Sequence, residues 1–392
     1  MTPSRLVIRA PNWLGDAVMA LPALAAVRAA MPETRIAIAA IAGVAPVFEE
    51  ETPAAPDEVI TIRDRGREID LLAAGTFDAA LLLTNSFRSA WTARRAGIAE
   101  RWGFGGNLRG GLLTRAVARP RERVHQSAYY AALVRGLDFD VADLIQRISV
   151  RDDTARRADA ILVKHGVTAA TRLVGFAPGA AYGHAKRWPP PRVAQVIARV
   201  STECHAVCVL VGAEGDRDAG REIESALPPG VAVVNLMGRT DLRQLAGILA
   251  RCSAFVSNDS GAMHLAAAVG VPVTAIFGPT DERVTSPLGN RDVLVHQVFC
   301  RPCMLRDCPI DHRCMKGITV DAVFDAVSAR LAADTRYLAR YAAHDENHVL
   351  VAGEPDHGPG APQARPAGAE RGTGPPRATA QGGPGDEVPR SR

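Results

Sequence analysis

Three groups of residues in this 392-residue chain have types and spacings that could do chemistry. The first is Asn258-Asp259-Ser260-Gly261-x2-His264. It reads as the end of a buried strand (Ala254 to Ser257), a tight polar turn and the first turn of an apolar helix from Met263. Free amides at a helix start, together with the helix dipole, favour an anion such as a phosphate. Ser260 and Gly261 let the backbone come close, and His264 projects from the first turn. An ordinary Asn/Asp cap with a turn glycine fits the same residues.

The second group is a carboxylate and a lysine on two separate loops. In Arg9-Ala10-Pro11-Asn12-Trp13-Leu14-Gly15-Asp16, Asp16 falls at the start of a helix that follows a strand. It is either a helix cap or a general base. The loop lacks the GxGxxG fingerprint, which argues against a dinucleotide cofactor. Pro178-Gly179-x6-Lys186-Arg187-Trp188-Pro189 follows a strand in the second half. The chain has only three lysines, Lys164, Lys186 and Lys316. A lysine in such a loop suits a pyrophosphate, as a compact charge with three donors; a solvated loop is the alternative. Glu214 and Asp216 end the next strand and Thr240 opens a later helix. Glu214 or Asp216 could accept from ribose hydroxyls or orient Lys186, and Thr240 could flank a nucleobase. Asp216-Arg217-Asp218 spells the Asp-x-Asp of metal-dependent transferases.

The third group is Cys300-x2-Cys303-x4-Cys308-x5-Cys314, four of the seven cysteines within fifteen residues. Four thiolates can hold structural zinc or an iron–sulfur cluster, although this spacing matches no standard pattern. Disulfides do not suit a reducing cytoplasm. An anion-facing loop is the alternative, given Arg301, Arg306, His312, Arg313 and Lys316 nearby.

The elements needed to position these groups are legible. Leu6–Arg9, Ile36–Ala39, Val59–Ile62 and Ala79–Leu83 read as short buried strands separated by helical stretches. The first helix runs from about Asp16 to Met31 with a kink near Pro22, which cannot donate a helix hydrogen bond. The pattern restarts at Leu173–Phe176 and continues through Ala206–Val211, Val231–Val234, Ala254–Ser257 and Val273–Phe277. Such alternation indicates parallel sheets covered on both faces. Two Rossmann-like domains are expected, 1–160 and 161–318, facing across a cleft that is the default ligand site. Thr319 caps a helix over 319–342, expected to pack back across the first domain. Residues 343–392 are Gly-, Pro- and charge-rich and read as a disordered tail.

The net charge of +4 is too small to argue for nucleic acid. There is no apolar run near the roughly 18 residues a membrane span needs and no signal-peptide pattern. A cytoplasmic chain is expected, with at most peripheral membrane contact. One candidate for that contact is Arg88, Arg94, Arg95, Arg101, Arg109 and Arg115, with Trp91, Trp102 and Phe104 among them. A solvated arginine face over core aromatics is the alternative.

Taken together, the Gly-Asp loop after strand one, Pro-Gly-x6-Lys-Arg-Trp-Pro, Asn-Asp-Ser-Gly-x2-His and Phe277-Gly278-Pro279-Thr280 resemble one family. This is the ADP-heptose:lipopolysaccharide heptosyltransferases of glycosyltransferase family nine, and the resemblance covers about residues 5–335. Asn85-Ser86-Phe87-Arg88-Ser89-Ala90, the Lys186 context and Ser260 are most similar to the heptosyltransferase II branch. Heptosyltransferase I or another ADP-heptose transferase of the family is the near alternative. The resemblance implies an α/β GT-B fold with an acceptor domain followed by a donor domain. It implies ADP-heptose as donor and a lipid A–Kdo–heptose acceptor at the inner membrane, inversion at the anomeric carbon, and no cofactor for catalysis. It implies Asp16 as base, Lys186 on the pyrophosphate, Ser260, Gly261 and His264 on phosphate, and Asp259 on the donor sugar or orienting its loop. A role for Glu214 or Asp216 is also implied, with two acids competing for one position. The resemblance further implies that Asp216-Arg217-Asp218 is the first turn of a helix and not a metal site. A monomer is expected, with a structural metal at the cysteines as an option. The rivals are a sugar-nucleotide 2-epimerase of the same architecture and a non-catalytic cysteine-cluster metal or redox protein.

Overall fold

The structure is a computed structural model that describes residues 2–181 and 183–333. The expected tail 343–392, and the part of the closing helix beyond 333, lie outside the described residues. Among the described residues, twelve strands form two six-stranded, all-parallel sheets. The first holds β1 (Arg5–Arg9), β2 (Arg35–Ile41), β3 (Glu58–Ile62), β4 (Ala79–Leu82), β5 (Glu100–Phe104) and β6 (Arg115–Val117), in the order β3-β2-β1-β4-β5-β6. The second holds β7 (Leu173–Ala177), β8 (Val207–Leu210), β9 (Val233–Asn235), β10 (Ala254–Asn258), β11 (Val273–Phe277) and β12 (Arg291–Val295), in the order β12-β11-β10-β7-β8-β9. Both orders are the doubly wound 3-2-1-4-5-6 pattern. The chain therefore reverses direction across the sheet between β1 and β4, and again between β7 and β10. Ligands bind at such switch points, beyond the strands' carboxyl ends.

The central strands carry apolar side chains on both faces because helices cover both. Leu6, Ile8, Ile36 and Ile38 are buried on one side of the first sheet, and Val7, Ala37 and Ala39 on the other. The first helix breaks at Ala20 into Leu14–Met19 and Leu21–Ala30, with Pro22 in the first turn of the second segment. That is the position at which a missing N–H costs least. No helix among the described residues is long and apolar enough to cross a membrane.

Several placements differ from the sequence reading. Strands β5, β6 and β12 were not anticipated. β6 (Arg-Ala-Val) and β12 (Arg-Asp-Val-Leu-Val) are edge strands that open on charged residues and carry only short apolar stretches. β5 (Glu-Arg-Trp-Gly-Phe) hides its core aromatics among charges. Consequently Trp102 and Phe104 are core residues and not a membrane-facing pair. Arg109 is also buried: its guanidinium donates to the carbonyls of Thr84, Ser86 and Phe104. It pins together the loops that follow β4 and β5. Arg101 donates to the carbonyls of Ile98, Ala99 and Leu112. Arg115 stacks over Trp102 and pairs with Asp138 at 2.9 Å. Exposed besides Arg115 is one face of the helix Phe87–Arg95, bearing Phe87, Arg88, Trp91, Arg94 and Arg95.

The expected boundary between residues 160 and 161 falls inside a helix, Asp152–Val163. A buried carboxylate, Glu50, ties it to both halves. Glu50 accepts from the Arg151 amide (2.7 Å), the Thr154 hydroxyl (2.6 Å) and Arg243 (3.3 Å). The closing helix Val320–Ala332 lies on the second lobe, not the first. Arg199 stacks on its Phe324 and pairs with Asp321, and Arg330 pairs with Asp292 of β12.

Candidate active site

The helices that follow β1 and β10 start at the two switch points, and they touch. Glycine makes the approach possible. A Cβ on Gly15 would stand 2.9 Å from His264 Cδ2, and one on Gly261 would stand 2.8 Å from Leu14 Cβ. Any side chain at either position would push the helices apart. Beside this seam lies a cavity of about 520 Å³ lined from both lobes. The first lobe contributes Trp13, Gly15, Asp16 and Arg123. The second contributes Lys186, Asp216, Asp259, Ser260, Gly261 and His264, with Thr280, Asp281 and Thr285 from the segment after β11.

On the first-lobe wall, Asp16 is the third residue of its helix, and the N-cap is Trp13. Its Oδ1 accepts from the buried Tyr130 hydroxyl at 3.0 Å. Burial raises the carboxyl's pKa above its ordinary value. Hydrogen bonds from Tyr130 and Gln126 act against that, and the negative charge of Asp259 adds to it. Trp13 is 61% exposed at the rim of the cavity.

On the second-lobe wall, Lys186 Nζ lies 2.6 Å from Asp259 Oδ2, both largely shielded from solvent. Asn258 brings them together. Its Nδ2 donates to the Pro178 carbonyl (2.6 Å) and its Oδ1 accepts from the Trp188 amide (3.3 Å). One buried side chain at the end of β10 thus holds both ends of the lysine loop. The helix Gly261–Ala268 begins at Ser260 with no side-chain cap. The Ser260 hydroxyl instead meets that of Ser257 at 3.0 Å. The first amides are therefore without the usual side-chain acceptor, which is the arrangement an anion completes. His264 is fully enclosed, burial holds its imidazole down to about 4, and its Nδ1 has no hydrogen-bond partner among the described residues.

The other acids divide. Asp216 lines the cavity, but its carboxylate is engaged: Oδ1 pairs with Arg187 at 3.0 Å and Oδ2 accepts the Ala213 amide at 3.1 Å. Glu214 points away, with its side chain 82% exposed and paired to Arg217. Asp218 pairs with Arg221 on the following helix. Thr240 precedes the capping residue Asp241 and is not among the cavity's lining residues. Asp216 and Asp218 thus have separate arginine partners.

The four clustered cysteines are free thiols. Among the described residues no three His, Cys, Asp or Glu side chains are arranged to hold a metal ion. Cys300, Cys303 and Cys308 all lie near enough to Cys314 to act on its thiol, which burial raises above its ordinary pKa. Cys314 is buried on a short helix, and Cys308 Sγ accepts the His312 amide at 3.3 Å. The segment's visible work is mechanical. Arg301 donates to the carbonyls of Gly278 and Thr280 and pairs with Glu282 at 2.7 Å, fixing the loop after β11. The Arg306 carbonyl accepts the Ala185 amide at 2.9 Å, bracing the lysine loop from the other side.

Sequence reasoning missed Tyr130, Gln126, Arg123, Thr280, Asp281 and Thr285 as cavity or site residues. Gln126 and Tyr130 stand four apart on the helix Gln126–Arg135. That spacing marks one helix face, but nothing local says the face looks at Asp16.

Known proteins with this arrangement are informative. Residues 66–313 match the model of glycosyltransferase family 9 (heptosyltransferase). The chain is 32% identical over 305 residues to lipopolysaccharide heptosyltransferase 2 of Salmonella typhimurium, covering 73% of this chain and 86% of that one. It is 31% identical over 301 residues to the Escherichia coli protein of the same name, with the same coverage. The solved structure of E. coli ADP-heptose lps heptosyltransferase II superposes with a TM-score of 0.72 at 29% identity, covering 84% of this chain and 99% of that one.

Proposed function

The chain belongs to glycosyltransferase family 9, the heptosyltransferase family, and on that premise we propose that it moves heptose from ADP-L-glycero-D-manno-heptose to the heptosylated inner core of lipopolysaccharide, with inversion. The observation that carries this reading is one carboxylate facing one anion site across a shared cavity: Asp16 from the first lobe, Lys186 and the uncapped helix start at Ser260 from the second. An in-line displacement needs these parts on opposite sides of the reacting carbon.

In the proposed reaction the acceptor hydroxyl attacks the anomeric carbon of the donor heptose. Asp16 takes its proton, and burial that raises the carboxyl's pKa also makes it a better base. The bond from carbon to the phosphate oxygen breaks and ADP leaves. Negative charge grows on the pyrophosphate in the transition state, where Lys186 and the amides of Gly261 and Ala262 stabilise it. Asp259 holds Lys186 until the pyrophosphate arrives and then serves the donor sugar. His264 is neutral at working pH, so it acts as a hydrogen-bonding group and not as a charge. Asp216 orients Arg187 and the glycine loop after β7. The first lobe (residues 1–160) takes the acceptor and the second (161–318) the donor. No metal takes part, and the protein works as a cytoplasmic monomer without nucleic acid. Its peripheral membrane contact is the Phe87, Arg88, Trp91, Arg94 and Arg95 face, where cations meet anionic lipid and aromatics favour the interface.

The test is ADP release from ADP-heptose with acceptors bearing no, one or two heptoses, in the presence of EDTA. Release should require the one-heptose acceptor and persist with EDTA. Asp16→Asn keeps the shape and removes the base, so turnover should fall at least about a hundredfold with ADP affinity retained. Near-normal turnover in that variant, or a strict need for Mg²⁺ or Mn²⁺, would defeat the mechanism.

A further inference from the structure

The helix Gln126–Arg135 presents Gln126 and Tyr130 one turn apart, on a single face. Both reach the carboxylate of Asp16, which lies more than a hundred residues earlier in the chain. Tyr130 is buried, with its hydroxyl 3.0 Å from Asp16 Oδ1. Burial, reinforced by the neighbouring carboxylate, keeps its phenol well above the ordinary pKa, so it stays protonated and donates at every pH where an enzyme works.

Asp16 needs such donors. An enclosed carboxyl tends to keep its proton, and a protonated acid cannot serve as a base. The other groups around it offer little help. Asp259 repels the charge from the second lobe, although Lys186 is bound to that carboxylate. His264, behind Gly15, is a neutral imidazole. The two donors from the helix Gln126–Arg135, with a backbone amide at Asp16 itself, are therefore the groups that favour the ionised form, and Tyr130 is the foremost of them.

We propose that Tyr130, assisted by Gln126, is the positioning residue of this active site: it keeps Asp16 ionised and fixes its orientation toward the acceptor hydroxyl. The inference rests on the reading of Asp16 as the base. With Oδ1 engaged by Tyr130, the incoming hydroxyl meets least competition at Oδ2. A phenol donor suits the role because it carries no charge into the cavity and cannot rival the substrate for Lys186.

The experiment is the pH profile of kcat/KM for acceptor, measured on the full-length protein as wild type, Tyr130→Phe, Gln126→Met and Asp16→Asn. Tyr130→Phe removes one hydrogen bond to an ion and leaves the ring in place. Its acidic limb should move up by about one to two pH units. Above the new limb the rate should return to within about threefold of wild type, with KM for ADP-heptose unchanged. Gln126→Met should move the limb the same way by a smaller amount. If Tyr130→Phe is unstable by thermal melting, Gln126→Met carries the test alone. A uniform loss of rate with an unmoved limb would show that Tyr130 only packs, and would overturn the proposal. Asp16→Asn separates the two ideas. If that variant keeps turnover, the base assignment fails; if it is inactive while both neighbours leave the limb in place, only the positioning role fails.

Discussion

Acidification should destabilise this protein through His264. The imidazole lies enclosed between the two lobes, and its pKa falls from the ordinary 6.5 to about 4. Burial is the main cause; His125 and Lys186 push the same way, and Asp259 pushes back. In the unfolded chain the ring takes up a proton near pH 6.5, whereas in the folded protein it does so only near 4. Between those values the unfolded state binds more protons, so stability rises with pH and falls as pH drops. The cost is nearly absent above about pH 7 and complete below about pH 4. A shift from 6.5 to about 4 corresponds to roughly 3 kcal/mol at full extent, and about 2 kcal/mol of it is lost between pH 7 and pH 5. Against a total stability of about 5–15 kcal/mol that is readily measured. Urea unfolding at pH 7 and pH 5 should be compared for wild type and His264→Gln. The variant is expected to be less stable at pH 7 and to lose about 2 kcal/mol less on going to pH 5. Other titrating groups are common to both proteins and drop out of the difference. Equal losses in the two proteins, within about 0.5 kcal/mol, would mean that His264 ionises as easily folded as unfolded, and the enclosed neutral imidazole would be refuted.

Two further outcomes follow from the same cavity. Lys186→Ala should weaken ADP-heptose binding and also lower kcat, because the charge it meets grows as the bond breaks; it also leaves Asp259 without its 2.6 Å partner. Lys186→Arg should restore part of the loss, since a planar fork replaces a point charge, and an alanine variant with wild-type kinetics would remove the lysine from the site. Gly15→Ala puts a methyl group 2.9 Å from the His264 ring, so it should spread the helix seam and cost about 1–3 kcal/mol, the usual range for overpacking. A melting temperature and turnover equal to wild type in that variant would show the seam to be loose.

Much of this protein could be read locally. The strands of both sheets that carry the site, β1, β7, β10 and β11, were visible as short apolar runs because buried parallel strands need apolar residues on both faces. The loops at their carboxyl ends stood out because turns and helix starts select glycine, proline and small polar residues. Asp16, Lys186, Asp259, Ser260, Gly261 and His264 could be chosen on that basis, and all six line one cavity. The edge strands β6 and β12, and β5, escaped because charged residues break or shorten their apolar runs. The arginine-rich stretch was misjudged for a related reason: composition reports a guanidinium but not which carbonyls surround it, and Arg109 is buried against three of them.

Tertiary structure alone decided which residues share a site. Glu214 and Asp216 are two apart in sequence, yet one is turned to solvent and the other is locked to Arg187 inside the cavity. Clustering in sequence likewise did not say what the cysteine segment does: Arg301 within it staples the loop after β11. Asp16 and Tyr130 are separated by 114 positions and Lys186 and Asp259 by 73. Periodicity and turn chemistry act over a few residues, so they set each element and its loop. The pairing of loops depends on sheet order and on how closely two helices can approach, and those exist only once the chain has folded.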